Sequence, residues 1–479
     1  MRYKTGEDRQ QLSLLPASLD DYVPVDHICR VISAFTGQLD IAALGYKYAE
    51  CKSTGCRPYD PRTMLNLYIY GYLHRVRSSR RLRDEAVRNV EVMWLMGGLK
   101  PDDKTISNFR SDNATALAET FRVFSRMCRT LGLHSGEVVA TDSSKFRANN
   151  SLRNNYNETV VKNELSRTDQ KIQEYMRALA EADAADEHIP EPSADAISAA
   201  LEHLNQRKGK FTELYARIQD EGEISTVDPD ARVMRSGCDA RRLDVCYNVH
   251  TVVDSQHHLI VDFDVSSCAS DAVQLKNMSD KARDIMAVQT LTNLADSGYY
   301  ASEEIVACEQ DGISCLVARP PPGGQQKPAG FQRHNFVYDS AQDVYICPTG
   351  QELRYWYSTQ HVSGRAYRVY ANTPACGKCQ KKSACTTYRH RAVQRLVCQD
   401  VLDQVDERTR KHKALYRQRR AIVEHPFGTI KAVWGYKQFL CRTQVKVRAE
   451  TALACMAYNL RRICNVFAEN GVNAAMAMG

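Results

Sequence analysis

Hydrophobic residues in the first part of the chain recur every three to four positions, which is the period of an amphipathic helix. The pattern holds in PVDHICRVISAF, TMLNLYIYGYLHRV and TALAETFRVFSRMCRTLG. Ser78 or Ser79 can cap a helix that runs to Met96. Asp103 or Thr105 can cap the next helix, TISNFR. We therefore expect an all-α N-terminal domain.

The pattern changes to that of β-strands after residue 135. GEVVATDSSKF is an apolar, β-branched run that reaches Asp142, and LTNLADSGYY contains a second short strand that ends on Asp296. DVCYNVHTVVD and HHLIVDFDVS predict a hairpin, and ISCLVA a last strand. Helices are expected over SDAVQLKNMSDKARDIM, with Ser270 as its cap, and over SEEIVACEQDG. These elements predict an α/β fold with a mixed sheet flanked by helices.

Two insertions divide this α/β core. Residues 153–235 are charged, with apolar residues at helical spacing, and predict a helical hairpin with its turn at 188–193 and no chemistry of its own. Residues 331–399 are rich in cysteine and look loop-rich. The predicted domains are an N-terminal helical DNA-binding domain (1–135), a core (136–152, 236–330 and 400–468), a helical insertion (153–235) and a zinc-ribbon-like insertion (331–399).

Four cysteines in the second insertion have the spacing of metal ligands. CGKC supplies a CxxC pair, and a single cysteine precedes it and another follows it. Such knuckles favour structural zinc in a segment that has little core of its own. Four reduced thiols in a loop are the alternative. The predicted ligands are Cys347, Cys376, Cys379 and Cys385.

Two basic clusters indicate a polyanionic partner, although the net charge of +7 is modest. One is HRVRSSRRLR, and the other has seven Lys or Arg and no acid between Arg408 and Arg420. Nucleic acid is the partner that such clusters favour, and the first lies in a helix–turn–helix pattern. Solvated helix faces of an ordinary bundle are the alternative. The DNA-binding candidates of the first cluster are Arg80, Arg81 and Arg83.

Three acids stand out by position. Asp142 and Asp296 end two apolar strands, and Glu424 lies on a late basic helix. Because sites form at the carboxyl ends of strands in α/β sheets, the two aspartates can meet there, and a helix crossing that edge can add Glu424. Three carboxylates repel one another unless a divalent cation neutralises them, and oxygen ligands suit Mg²⁺ or Mn²⁺. A turn or cap role is the alternative for each aspartate.

The late helix, YRQRRAIVEHPFGTIKAVWG, places several polar residues on one face. On ideal helix geometry Tyr416, Arg420, Glu424 and Lys431 fall within a sector of roughly 80°. That face combines an acid, two cations and a phenol, which can hold a metal ion and bind phosphates. Pro426 should kink the helix just past the acid.

These residues resemble bacterial insertion-sequence transposases of the DDE type. The resemblance is carried by ATDSSKFRANN, LADSGYY and the late helix, and by YDPRTMLNLYIYGY and DDKTISNFR near the N-terminus. It implies an RNase H-like core, a metal-binding triad of Asp142, Asp296 and Glu424, and a Tyr, Arg and Lys around the glutamate. Tyr416 is one residue too early for Arg420. Arg419 would restore that spacing, but we expect it to turn away from the acid face.

The resemblance also implies the reaction. Such an enzyme cuts phosphodiester bonds at the ends of its own mobile element, and the freed 3′-hydroxyl attacks target DNA. Double-stranded DNA is then the partner, and a homodimer is expected because two ends must be brought together. A catalytically silent DNA-binding derivative and a general metal-dependent nuclease are the alternatives.

The sequence lacks the features of exported or membrane proteins. MRYKTGEDRQQLSLLPASLDDY has no apolar signal region, and no apolar run is long enough to span a bilayer. The 17 scattered cysteines suit reduced thiols better than a disulfide framework. We therefore expect a cytoplasmic protein without membrane contact and, with the resemblance, one associated with the bacterial nucleoid.

Overall fold

The structure is a computed structural model that describes residues 18–50, 57–134, 136–184, 191–236, 242–321, 330–362 and 364–469, with Ala474 and Ala477. The first 17 residues of the expected N-terminal domain lie outside these ranges, as do 188–190 of the predicted turn. No helix in the described ranges combines the length and the apolar composition that a bilayer span requires.

The N-terminal region is helical, as predicted. Asp60 caps the helix Pro61–Leu73 by accepting the Arg62 N–H at 2.7 Å, and Pro61 occupies its first turn. The helix predicted to run to Met96 is in fact two helices, because Asn89 is extended and caps the second one. The following helix is capped by Asp102 rather than Asp103 or Thr105. The helices are α1 (Ile28–Gly37), α2 (Pro61–Leu73), α3 (Ser79–Arg88), α4 (Val90–Met96), α5 (Asp103–Asp112) and α6 (Ala114–Thr130).

A long strand and a helical hairpin follow. The hairpin has its own small cluster of buried apolar residues, including Val161, Phe211 and Ile218. Its second helix begins at Glu191, so residues 191–193 are helical rather than part of the predicted turn. The elements are β1 (Val138–Arg147), β2 (Asn155–Tyr156), α7 (Glu158–Ala184), α8 (Glu191–Glu221), β3 (Ile224–Ser225) and β4 (Arg232–Arg235).

The predicted hairpin and the two later strands are present. The helix expected from Ser270 begins five residues later, which leaves residues 267–274 as a loop. These elements are β5 (Leu243–Asp254), β6 (Ile260–Ser266), α9 (Leu275–Met286), β7 (Leu291–Ala295), α10 (Ser302–Gln310) and β8 (Ile313–Val317).

The cysteine-rich insertion contains a sheet of its own. Its antiparallel strand order is β13-β12-β11-β10-β9, and it buries Phe336, Tyr345, Leu353, Tyr370 and Val393. The expectation of a loop-rich segment without a core was therefore wrong. The elements are β9 (Val337–Asp339), β10 (Val344–Ile346), β11 (Glu352–Gln360), β12 (Ala366–Ala371), α11 (Thr373–Gly377), α12 (Lys382–Cys385) and β13 (Ala392–Leu396).

Three helices complete the chain: α13 (Gln399–Lys411), α14 (Lys413–Phe427) and α15 (Gln444–Glu469). A π-helical segment, Gly428–Val433, follows α14 directly. Almost all of the first four turns of α15 after Val447 are buried. This helix packs against α2, α6 and β6, and one continuous hydrophobic cluster joins it to the N-terminal helices and the sheet.

The central sheet is mixed. Its order is β4-β5-β1-β7-β8, and β6 also pairs with β5. β5 is antiparallel to β1 and β6 is antiparallel to β5, whereas β7 and β8 are parallel to β1. β1, β6, β7 and β8 therefore run in one direction, and their carboxyl ends share one edge. Because β4 already belongs to this sheet, the core resumes before residue 236, where we had placed its boundary.

Asn459 on α15 completes the backbone hydrogen bonding of β6. Its Oδ1 accepts the Ile260 N–H at 2.9 Å, and its Nδ2 donates to the Ile260 carbonyl at 2.8 Å. Asn459 and Ile260 are both fully buried. The side chain thus substitutes for a neighbouring strand.

Replacing Asn459 with Ala should destabilise the fold, because it leaves a buried N–H and a buried carbonyl without partners. We expect the free energy of unfolding in urea to fall by about 2–4 kcal/mol. Asn163→Ala, at an exposed position of α7, is the control and should change it by less than about 0.5 kcal/mol. A loss below about 1 kcal/mol for Asn459→Ala would contradict this account of the β6 edge.

Candidate active site

The parallel pairing of β1 and β7 brings two predicted acids together. Thr141 pairs with Ala295 in this ladder, so Asp142 and Asp296 are the next residue on each strand. The Asp142 carboxylate accepts the Ser143 N–H at 2.7 Å, and Asp296 accepts the Gly298 N–H at 2.8 Å. The two aspartates are therefore neighbours. Asp296 directly follows β7, whereas β1 continues to Arg147, so the expectation that Asp142 ends its strand was wrong.

Burial makes the negative charge of Asp142 unfavourable. It raises the pKa of Asp142 to about 6, and the nearby carboxylates of Asp296 and Asp271 act in the same direction. The Ser143 N–H and the Arg419 guanidinium oppose the rise in pKa. The site therefore concentrates negative charge in a place that solvates it poorly, which is where a bound cation is most stabilising.

Arg419, not Arg420, approaches the paired aspartates. Its Nη1 lies 3.4 Å from Asp142 Oδ2, and its side chain is 18% exposed. Arg420 is exposed and donates through Nε to Glu424 at 2.7 Å. The expectation that Arg419 turns away from the acids was wrong, because α14 presents this face to β1 and the opposite side to solvent.

Glu424 lies on α14, which packs against β1, β5 and β7. Its side chain is 59% exposed and forms an ion pair with Arg420 one turn earlier. A surface ion pair of this kind is weak, so the carboxylate can exchange partners readily.

The chain leaves ideal α-helical geometry after Pro426. The π-helical segment follows, and Lys431 within it reaches β1. Its Nζ donates to Ser144 Oγ at 2.8 Å and to the Lys145 carbonyl at 2.7 Å. The predicted common sector assumed an uninterrupted α-helix, which this segment is not.

Asp271 is a residue of the site that the sequence analysis missed. It lies in the loop after β6, and Ser143 Oγ and Asn248 Nδ2 donate to its Oδ1 at 2.8 and 2.7 Å. The loop had been assigned to a helix capped by Ser270, which hid the residue. The available signal was an aspartate just beyond a strand that runs in the same direction as β1.

A buried histidine and tyrosine support this part of the site. His250 Nδ1 and the Tyr299 hydroxyl are 2.9 Å apart, and His250 Nδ1 is 3.9 Å from Asp271 Oδ1. Burial lowers the pKa of His250 to about 4, so its imidazole is neutral at pH 7. It supplies polar contacts here without adding positive charge.

The carboxylate oxygens present fit a hard divalent cation. Gly298 has an ordinary backbone conformation, yet a Cβ there would lie 3.0 Å from Asp296 Oδ1 and 3.4 Å from Asp271 Oδ2. The glycine thus keeps open the space that these two oxygens border. Oxygen ligands around such a space suit Mg²⁺ or Mn²⁺.

One tight group of metal-ligand types occurs in the described ranges: the ligand atoms of His27, Cys29 and Glu91 all lie within 4.8 Å of one another. The predicted triad, the three aspartates and the four cysteines of the second insertion do not meet this spacing. His27 Nδ1 accepts the Cys29 N–H and so caps α1. A neutral imidazole with Nδ1 accepting carries its proton on Nε2, which then faces Glu91 and offers no lone pair. This group is a helix cap and a polar contact.

The other predicted DNA-binding residues lie on α3 and on α14. Arg83 pairs with Asp84 and Asp103, Arg80 is 81% exposed and 3.7 Å from Asp103, and Arg81 is exposed. Tyr416 is partly buried against the main hydrophobic cluster.

The four predicted zinc ligands line one small cavity of the cysteine-rich insertion. Cys347 comes from the β10–β11 turn, Cys376 from α11, Cys379 from the residues after it and Cys385 from α12. The Gln351 N–H donates to Cys347 Sγ at 3.4 Å. Burial raises the pKa of Cys385, and the other three thiols act in the same direction. Such a set of sulfurs is suited to zinc, which would remove this repulsion.

Paired, partly buried carboxylates on neighbouring parallel strands, beside an arginine-rich helix, are typical of a phosphoryl-transfer enzyme of the nuclease or transposase type. The comparisons agree. Residues 17–112 match the family model described as Transposase domain (DUF772), and residues 221–460 match the model described as Transposase DDE domain. The chain belongs to the DDE transposase family. Asp296 and Glu424 lie within the matched residues, and Asp142 lies upstream of them. No curated protein and no solved structure matches the chain.

Proposed function

We propose that this protein cleaves phosphodiester bonds at the ends of a mobile DNA element and transfers the freed 3′-hydroxyl to target DNA. The observation that carries the proposal is the adjacent position of Asp142 and Asp296 on parallel strands. Membership of the DDE transposase family gives this pair of acids its chemical context.

An RNase H-like core is part of the proposal. The order along the chain is a strand with an acid, a hairpin, a helix, a second strand with an acid, a helix and a last strand, followed by the helix with Glu424. This order and the pairing of β5, β1, β7 and β8 support it. The two insertions enter after β1 and after β8.

The metal ligands would be Asp142, Asp296 and Glu424. Mg²⁺ or Mn²⁺ bound by these oxygens would activate the attacking water or 3′-hydroxyl and would stabilise the leaving oxygen. Glu424 joins the aspartates by exchanging its exposed ion pair with Arg420. Arg419 holds Asp142 in place, and Lys431 fixes the neighbouring backbone of β1 through Ser144 and Lys145.

The reaction consists of two displacements at phosphorus. In the first, a water oxygen bonds to phosphorus and the bond to the 3′ oxygen of the element end breaks, which leaves a 3′-hydroxyl and a 5′-phosphate. In the second, that 3′ oxygen bonds to a phosphorus of the target strand, the target 3′ oxygen leaves, and it takes up the proton.

Double-stranded DNA, both element ends and target, is the partner in this proposal. Arg420 and Tyr416 would contact the backbone near the cut, and Arg80, Arg81 and Arg83 would contact it from the N-terminal helices. A homodimer on DNA allows two ends to be held together.

Replacing single acids tests the catalytic proposal. Asp142→Asn, Asp296→Asn and Glu424→Gln should each lower cleavage of an element-end duplex with Mg²⁺ by roughly a hundredfold or more, because each removes a cation ligand. Glu407→Gln, at an exposed position of α13, is the matched control. Unchanged activity in the three variants would remove the catalytic claim. Equal cleavage of a duplex without the element ends would favour the general metal-dependent nuclease, and inactive wild-type protein that still binds the ends would favour the silent DNA-binding alternative.

The two neighbouring arginines should differ in their effects. Arg419→Ala removes the cation beside Asp142, so we expect a roughly tenfold slower cleavage at saturating DNA. Arg420→Ala removes an exposed phosphate-binding group, so DNA affinity should fall and the slope of log Kd against log salt should decrease by about 1. Cleavage assays and binding titrations at several salt concentrations measure both. Slower cleavage in Arg420→Ala together with weaker DNA binding in Arg419→Ala would contradict the arrangement around Asp142.

Zinc in the cysteine-rich insertion can be measured directly. We expect about one zinc per chain by elemental analysis, and loss of that zinc in the Cys376→Ser, Cys379→Ser double variant. Cys398→Ser, just outside the cavity, should keep it. Equal zinc in all three proteins would show that these thiols do not form the site.

A further inference from the structure

Asp271 is held at the edge of the sheet that carries Asp142 and Asp296. Its Oδ1 accepts hydrogen bonds from Ser143 on β1 and from Asn248 on β5. Ser143 directly follows Asp142, and Asn248 is fully buried. Two donors from separate strands fix the orientation of this carboxylate, although it comes from a loop.

The second oxygen of Asp271 and one oxygen of Asp296 both lie near Gly298. A Cβ on Gly298 would lie 3.4 Å from Asp271 Oδ2 and 3.0 Å from Asp296 Oδ1. Both oxygens therefore border one point in space. The backbone of Gly298 does not require a glycine, since its φ is outside the left-handed region. A side chain at this position would instead come within 3.4 Å of both carboxylates.

The charge of Asp271 is not needed for its hydrogen bonds. An asparagine amide oxygen could accept from Ser143 and Asn248 equally well, without repelling two neighbouring aspartates. In the described part of the chain no Lys or Arg nitrogen lies within 4.0 Å of Asp271. Its basic neighbour at 3.9 Å is His250, whose Nδ1 is already engaged with Tyr299. A third carboxylate beside two others is stabilised when a cation is shared.

We propose that Asp271 is an additional acid of the active site, and that its Oδ2 joins Asp142 and Asp296 in binding the divalent cation. This inference rests on the proposed function, since it concerns the same cation site. In this proposal Ser143 and Asn248 orient Asp271 by hydrogen bonds, and Gly298 leaves room for the cation.

Binding of Mn²⁺ to the full-length protein without DNA tests this assignment. The dissociation constant is measured by titration with electron paramagnetic resonance, and the thermal unfolding midpoint is recorded with and without Mn²⁺. Asp271→Asn keeps the hydrogen-bond acceptor and removes only the charge. We expect it to raise the Mn²⁺ dissociation constant at least about tenfold and to reduce the Mn²⁺-induced increase in Tm. Its Tm without metal should equal or exceed that of wild type, because the repulsion from the other aspartates is removed while both hydrogen bonds remain.

Gly298→Ala gives a second, independent variant. Its methyl group would fill the space between the two oxygens while leaving every charge in place, so Mn²⁺ binding should weaken similarly. Asp284→Asn, which changes a surface carboxylate on α9 that is 68% exposed, is the control and should bind as wild type. If Asp271→Asn does not fold, Gly298→Ala decides the question.

The outcomes separate this inference from the proposed function. Weaker binding in Asp142→Asn, Asp271→Asn and Gly298→Ala supports both. Weaker binding in Asp142→Asn with wild-type binding in Asp271→Asn or Gly298→Ala overturns the role of Asp271 alone. Wild-type binding in Asp142→Asn overturns the cation site and, with it, the inference.

Discussion

The parallel ladder between β1 and β7 is the constraint on which the site depends. Because Thr141 pairs with Ala295, the residues that follow on each strand, Asp142 and Asp296, must be neighbours at the sheet edge. They are 154 positions apart in the numbering of the chain. A register shift of one residue would direct one of them to the opposite face of the sheet. The hydrophobic packing that fixes this register therefore also assembles the acids.

Some groups around the paired acids destabilise the ionised carboxylates, and others stabilise them. Burial and the neighbouring Asp271 make ionised Asp142 less favourable, whereas Arg419 and the Ser143 N–H oppose this effect. A site with this balance is arranged for a bound cation rather than for bare carboxylates. Glu424 is exposed on α14, which packs against β1, and in our proposal its carboxylate exchanges Arg420 for the cation.

The sequence was informative wherever a periodic pattern determined the structure. Apolar strands pointed to Asp142 and Asp296 as neighbours, although β1 continues past Asp142, and helical spacing identified the N-terminal helices. It was misleading where local geometry departs from the ideal pattern. The π-helical segment after Pro426 moves Lys431 to β1, and the loop before α9 hid Asp271 in an assumed helix. The choice between Arg419 and its neighbour depended on which face of α14 meets the sheet, which spacing within one helix does not specify.

The most direct test of the central claim is a crystal structure of the protein soaked with Mn²⁺, with anomalous diffraction recorded at the manganese edge. The account predicts an anomalous peak between Asp142 and Asp296, within about 2–2.5 Å of an oxygen of each. A well-ordered structure with both carboxylates resolved and manganese bound elsewhere, or with the two aspartates engaged by protein side chains alone, would contradict it.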